Sequence, residues 1–156
     1  MTKLHALGPA VLALLTACSI EAHRETADDQ TSSPEYIAPP GGNSELPFSD
    51  AVRVGNMLYL SGRIGSIPGE GLVKGGIQPE TRQALENVKM ALERNGASMD
   101  RVVKCTVMLA DIAEWASMNE IYREFFPTNK PARSAFGTSG LAAGARVEIE
   151  CMAVLE

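Results

Sequence analysis

Imidazole is missing from every segment of this 156-residue chain that reads as folded, because the only two histidines, His5 and His23, precede the first recognisable element near Leu46. That absence removes Ser/His/Asp and Cys/His nucleophile pairs and every His-based metal site. Thiols are nearly as scarce: only Cys105 and Cys151 of the three cysteines fall in the folded part, too few for a thiolate zinc site. Positive charge is also short. The net charge is −5, and setting aside residues 1 to 17, whose only charged residue is Lys3, leaves 13 basic against 19 acidic residues, or −6. An acidic domain repels phosphate backbones, so nucleic acid is a poor partner and a small molecule a better one. Neither a phosphate-loop lysine pattern nor a strand-to-helix glycine fingerprint occurs. Chemistry therefore falls to Arg, Glu, Asp, Ser, Tyr, Lys and backbone groups, with no metal and no cofactor expected.

The chain opens on a leader. Lys3 is followed by an apolar stretch from Leu4 to Ala17, too short to span a bilayer comfortably but with the basic start and apolar middle of a secretory signal. Leu15-Thr16-Ala17-Cys18 resembles the bacterial lipobox, whose cysteine becomes the lipidated first residue of the mature protein. Residues 1–18 therefore read as a lipoprotein-type signal. Residues 19–45, rich in Glu, Asp, Ser, Thr, Pro and Gly, read as a disordered tether, and 46–156 as one domain. The expected location is the bacterial cell envelope, on the periplasmic side, with membrane contact only through the lipid anchor.

Within the domain, Ala51–Val54 and Met57–Ser61 flank Gly55-Asn56 as a hairpin. A Gly/Pro-rich loop runs from Gly62 to Gly76, with a short strand near Leu72 and Val73. A helix opens at Pro79, carries Ala84, Leu85, Val88, Ala91 and Leu92 on one face, and stops at Asn95-Gly96. The run from Arg101 to Ala110 is a strand. Asp111 and Glu114 have capping-box spacing ahead of a helix whose Trp115, Met118, Tyr122 and Phe125 share a face expected to be core. Strands near Ala132–Phe136 and Arg146–Val154 follow. The order β-β-α-β-α-β-β, with hairpins at both ends, predicts an α+β domain: a mixed sheet with both helices on one face. Cys105 and Cys151 each sit in an apolar strand; export favours a disulfide, but the apolar setting favours free core thiols, which is the expectation taken.

The last third places charge where a strand is expected to be buried. Pro131-Ala132-Arg133-Ser134 and Arg146-Val147-Glu148-Ile149-Glu150 put one arginine and two glutamates in such segments, where an ionised group is tolerated only if paired or used. Val147, Ile149, Cys151 and Ala153 alternate with Glu148, Glu150 and Met152. If the apolar set meets the helices, both glutamates face the other way.

Together with Gly55-Asn56-Met57, Ser61-Gly62, Thr81-Arg82-Gln83-Ala84-Leu85, Asn87-Val88 and Tyr122-Arg123-Glu124-Phe125-Phe126, these motifs resemble the RidA (YjgF) family of reactive intermediate deaminases, also labelled endoribonuclease L-PSP, from about Leu46 to Val154. The resemblance implies a chorismate-mutase-like fold and a homotrimer with ligand clefts between subunits. It also implies hydrolysis of 2-imino acids such as 2-iminopropanoate and 2-iminobutanoate to 2-oxo acids and ammonia. Arg133 matches the arginine that holds the substrate carboxylate, Glu148 the glutamate that positions water, and Ser61 a cleft serine. Phe48 stands where many members have a tyrosine, keeping an apolar wall but losing a phenol. Ala135 stands where many have a cysteine whose backbone carbonyl is the proposed participant. A binding module or chaperone-like scaffold using the same arginine without turnover is the alternative, and ribonuclease chemistry is the weakest reading, given the acidic charge and missing imidazole.

Overall fold

The computed structural model describes residues 33–41 and 46–155. Nine strands and two helices follow in chain order: β1 (Glu35–Ile37), β2 (Ala51–Val54), β3 (Met57–Leu60), β4 (Arg63–Ile64), β5 (Ser66–Ile67), β6 (Gly71–Leu72), α1 (Ile77–Arg94), β7 (Val102–Leu109), α2 (Trp115–Phe125), β8 (Ala132–Gly137) and β9 (Val147–Val154). The main sheet runs β1-β2-β3-β9-β7-β8, with β4 also paired to β9, while β5 and β6 form a small separate hairpin. Both helices contribute to one core, in which Leu85, Val88 and Leu92 of α1 and Met118 of α2 join Leu58, Val107 and Ile149 of the sheet.

The alternation in β9 follows expectation. Val147, Ile149, Cys151 and Ala153 are buried, and Glu148, Glu150, Met152 and Val154 are only half-buried on the opposite face. A strand with a fully apolar face and two usable edges belongs at a sheet centre, and β9 pairs with β3 and β4 on one side and β7 on the other.

Several expectations are corrected. The last two strands do not form a hairpin: β8 pairs parallel with β7 at the sheet edge, and the chain crosses β7 to insert β9. Pro131, just ahead of β8, and the charge of Arg133 suit an edge strand rather than an interior one. The folded unit begins before Leu46, because Glu35–Ile37, expected to be tether, pairs with β2. The free-thiol expectation also fails. Cys105 and Cys151 are register partners across β7 and β9, their Cα atoms 4.1 Å apart, and their sulfurs are bonded. Register brings them together, and neither strand's own pattern reveals it. Helix α1 starts two residues ahead of Pro79, entered through Gly76 at φ 94, a conformation that favours glycine.

The capping box is half formed. Asp111 accepts from the Ala113 N–H at 2.9 Å, but Glu114 pairs with Arg146 instead of turning back. Glu80, in the first turn of α1, is buried, and its carboxylate accepts from the Arg146 N–H at 2.5 Å and from the Val147 N–H at 3.4 Å, joining α1 to the start of β9.

Candidate functional site

Arg133 sits in β8 in register with the core cysteine Cys105, so its side chain leaves the sheet on the helix side. There its guanidinium carbon lies 4.5 Å from the centre of the Tyr122 ring and 5.9 Å from that of Trp115. These are cation–π distances. The three side chains, with Asn119, Arg123 and Lys130, line a cavity of about 430 Å³. Among the described residues Arg133 has no ion pair. A half-buried guanidinium supported by ring faces alone keeps its forked donors available for an incoming carboxylate. Ala135, two residues on, shares this face and packs against the core.

The aromatic stripe of α2 is therefore not simply core. Met118 and Tyr122 are buried, but Trp115 is 45% exposed and walls the cavity. Burial pushes the Tyr122 phenol up to about 12, against the smaller opposing pull of the Arg133 cation. The hydroxyl has no partner among the described residues and stays protonated at neutral pH.

Glu148 lies on the opposite face of the sheet. Its backbone is paired with Met108 on one side and Ile64 on the other. Gly62 lies directly beneath its carboxylate, and a Cβ there would collide with Oε1. Ser61 adjoins, its hydroxyl donating to the Ser49 carbonyl at 2.6 Å and its N–H to the Asp50 carbonyl at 3.1 Å. Phe48, 52% exposed, and Gly62 border a second cavity of about 450 Å³. Ser61 and Gly62 thus bring the end of β3 up to Glu148, whereas the Phe48 cavity is lined on its other side by Asn87, Met90 and Arg94 of α1. Within one chain, Arg133 and Ala135 belong to a separate location across the sheet.

The buried Asp50 escaped sequence reading. It is 3% exposed and accepts from Arg63 at 2.6 Å and Arg94 at 3.1 Å. Arg63 also donates to the Asp50 carbonyl at 3.0 Å, stitching the Phe48–Asp50 segment to the chain that carries Ser61 and Gly62. The only signal was an acid at a strand entry, and its arginine partners are 13 and 44 residues away. Glu150 shares the Glu148 face, in register with Thr106, and lines a shallow hollow with Tyr59, Lys104 and Met152. Cys18 lies outside the described residues.

A mixed sheet backed on one face by two helices makes an α+β domain, with an arginine held among aromatic rings on the helix side and a glutamate over glycine on the other. The sequence model of one family, described as Endoribonuclease L-PSP, matches residues 41–155. The human 2-iminobutanoate/2-iminopropanoate deaminase is 45% identical over 109 residues, which cover 69% of this chain and 80% of that protein. Among solved structures, yeast Mmf1 matches with a TM-score of 0.72 at 34% identity, covering 80% of this chain and 100% of that one. E. coli TdcF with bound serine matches with a TM-score of 0.67 at 31% identity, covering 78% and 94%. The chain belongs to the RidA/YjgF family.

Proposed function

We propose that this protein hydrolyses reactive 2-imino acids of the 2-iminopropanoate and 2-iminobutanoate type to 2-oxo acids and ammonium, the activity for which its 45%-identical human relative is named. In the balanced step, the protonated imine, an iminium, gains one water at carbon and expels its nitrogen as ammonium. Arg133 holds the substrate carboxylate through paired hydrogen bonds. Glu148 accepts a proton from the attacking water and stabilises the cationic carbon–nitrogen group. Ser61 adjoins Gly62 under Glu148, Phe48 supplies an apolar wall, and the Ala135 backbone lies beside Arg133. Imines already hydrolyse in water, so holding substrate and water together supplies much of what is needed.

The observation that carries this reading is the unpaired Arg133 in its aromatic-walled cavity, with Glu148 across the sheet. The two complete one site only if neighbouring copies supply them, which favours a homotrimer with intersubunit clefts. Generating 2-iminopropanoate in situ and measuring ammonia release tests it. Wild type should exceed spontaneous hydrolysis, while Arg133→Ala and Glu148→Ala should fall to that background. No acceleration by wild type rejects the enzyme reading in favour of a carboxylate-binding module, an outcome to which the missing Phe48 hydroxyl lends some weight.

We further propose export and lipid anchoring through Cys18. The leader motif supports this, as does the Cys105–Cys151 disulfide, since such bonds persist in oxidising compartments. Fractionation of Cys18→Ala should move the protein from the membrane to the soluble envelope fraction, and unchanged membrane association rejects the anchor.

A further inference from the structure

Charge around α2 is segregated. Each acidic side chain on or just before the helix is engaged away from the Arg133 cavity: Glu114 with Arg146, Glu120 with Gln78 at 2.5 Å, and Glu124 with Arg82 at 2.7 Å. The cavity itself is lined by three cationic side chains, Arg123, Lys130 and Arg133, and by no carboxylate. None of the three has an ion pair among the described residues. In a chain of net charge −5, three unpaired cations around one hollow concentrate positive potential where the rest of the surface repels anions. Asn119 adds a polar group. It is 6% exposed and lines the same cavity.

One carboxylate neutralises only Arg133. Arg123 is one helical turn beyond Asn119 and so on the same stripe of α2, and Lys130 lies one residue before Pro131 at the entry to β8. Both stand at the rim of a cavity whose volume is within the usual range of roughly 300–1,000 Å³ for ligand pockets. We infer that this cavity takes a 2-imino diacid, with Arg133 on the carboxylate next to the imine and Arg123 and Lys130 on a second carboxylate at the end of a short side chain. The inference rests on the reading that Arg133 holds the substrate carboxylate, and it specifies the substrate class. The aromatic walls leave room for the carbons between the two acids, and the Asn119 amide can donate to either. The reaction balances as for the simpler imines: water in, ammonium out, and a 2-oxo diacid formed.

The test compares 2-iminosuccinate, generated from aspartate by an aspartate oxidase, with 2-iminopropanoate, generated from alanine by an amino-acid oxidase, catalase being present in both. The expected result is a kcat/KM for the diacid about tenfold or more above that for the monoacid. In Arg123→Ala/Lys130→Ala that preference should shrink by a similar factor, with an unchanged circular dichroism spectrum. Turnover of 2-iminopropanoate without a preference for the diacid, or a preference that survives the double substitution, overturns the inference and leaves the deaminase reading standing. If neither imine is turned over, the deaminase reading fails, and calorimetry with oxaloacetate against pyruvate decides on the cavity. Tighter oxaloacetate binding that the double variant weakens supports it; equal binding overturns it.

Discussion

The guanidinium carbon of Arg133 lies 4.5 Å from the centre of the Tyr122 ring, on the face of the sheet opposite to Glu148. One relationship therefore couples a half-buried cation to a buried phenol and leaves the Glu148 carboxylate on the far side of the sheet.

The Tyr122 phenol is raised by burial from 10.0 to about 12. Its folded value is above its unfolded one, so its contribution to stability is fully present below about pH 10 and is lost as pH rises through about 12. Absorbance titration of the tyrosinate should show one late component near pH 12, absent in Tyr122→Phe. Chemical denaturation of wild type should lose stability between about pH 10 and 12 more steeply than that variant does.

Gly62 lies under the Glu148 carboxylate with no room for a Cβ. In Gly62→Ala the flexible carboxylate end must move, so deaminase activity should fall by about tenfold or more while melting temperature changes by only a few degrees. Equal losses in both, or unchanged activity, would show that the Glu148 position is not what the reaction depends on.

Arg133 and Glu148 occupy opposite faces of one sheet. If each cleft takes one from either neighbour, inactive Arg133→Ala and Glu148→Ala chains mixed in one trimer should regenerate about one complete site in three. Co-expression with two affinity tags and assay of the doubly tagged species checks this. A doubly tagged assembly without activity would place both residues in one subunit's site.

Reducing the Cys105–Cys151 bond should destabilise the domain without unfolding its topology. The bridge spans 46 residues, for which the loop-entropy estimate is about 4 kcal/mol. Thermal melts with and without dithiothreitol, alongside Cys105→Ala/Cys151→Ala, should differ by roughly 10 °C or more. The reduced protein should match the double variant.

Glu80 is buried and holds the N–H groups of Arg146 and Val147 at the start of β9. Glu80→Ala strands both donors, so a loss of about 2–4 kcal/mol in urea denaturation is expected. Glu80→Gln keeps an acceptor and should recover part of it.

Local signals in the chain carried much of this. The Asn95-Gly96 stop, the apolar stripe of α1 and the strict alternation of β9 each depend on residues within a few positions, and helix and strand periods translate them directly into faces. Trp115 carries no local signal of its role: its spacing matches Met118 and Tyr122, yet it is 45% exposed and walls the Arg133 cavity. Asp50 and Glu80 carry no local sign of their burial. Their partners lie 13 to 67 residues away, beyond the reach of any local pattern.

Periodicity alone indicated two helices on one face of a mixed sheet, with Glu148 on the other face if the apolar residues of β9 meet them, as they do. Strand pairing decided the rest. A strand's own residues state which of its side chains share a face, but not which neighbour it joins or in what register, because the backbone groups that pair are the same in every residue. Only the parallel docking of β8 on β7 turns Arg133 toward Tyr122, only the β7–β9 register joins Cys105 to Cys151, and only their combined geometry puts Arg133 and Glu148 on opposite sides of one chain.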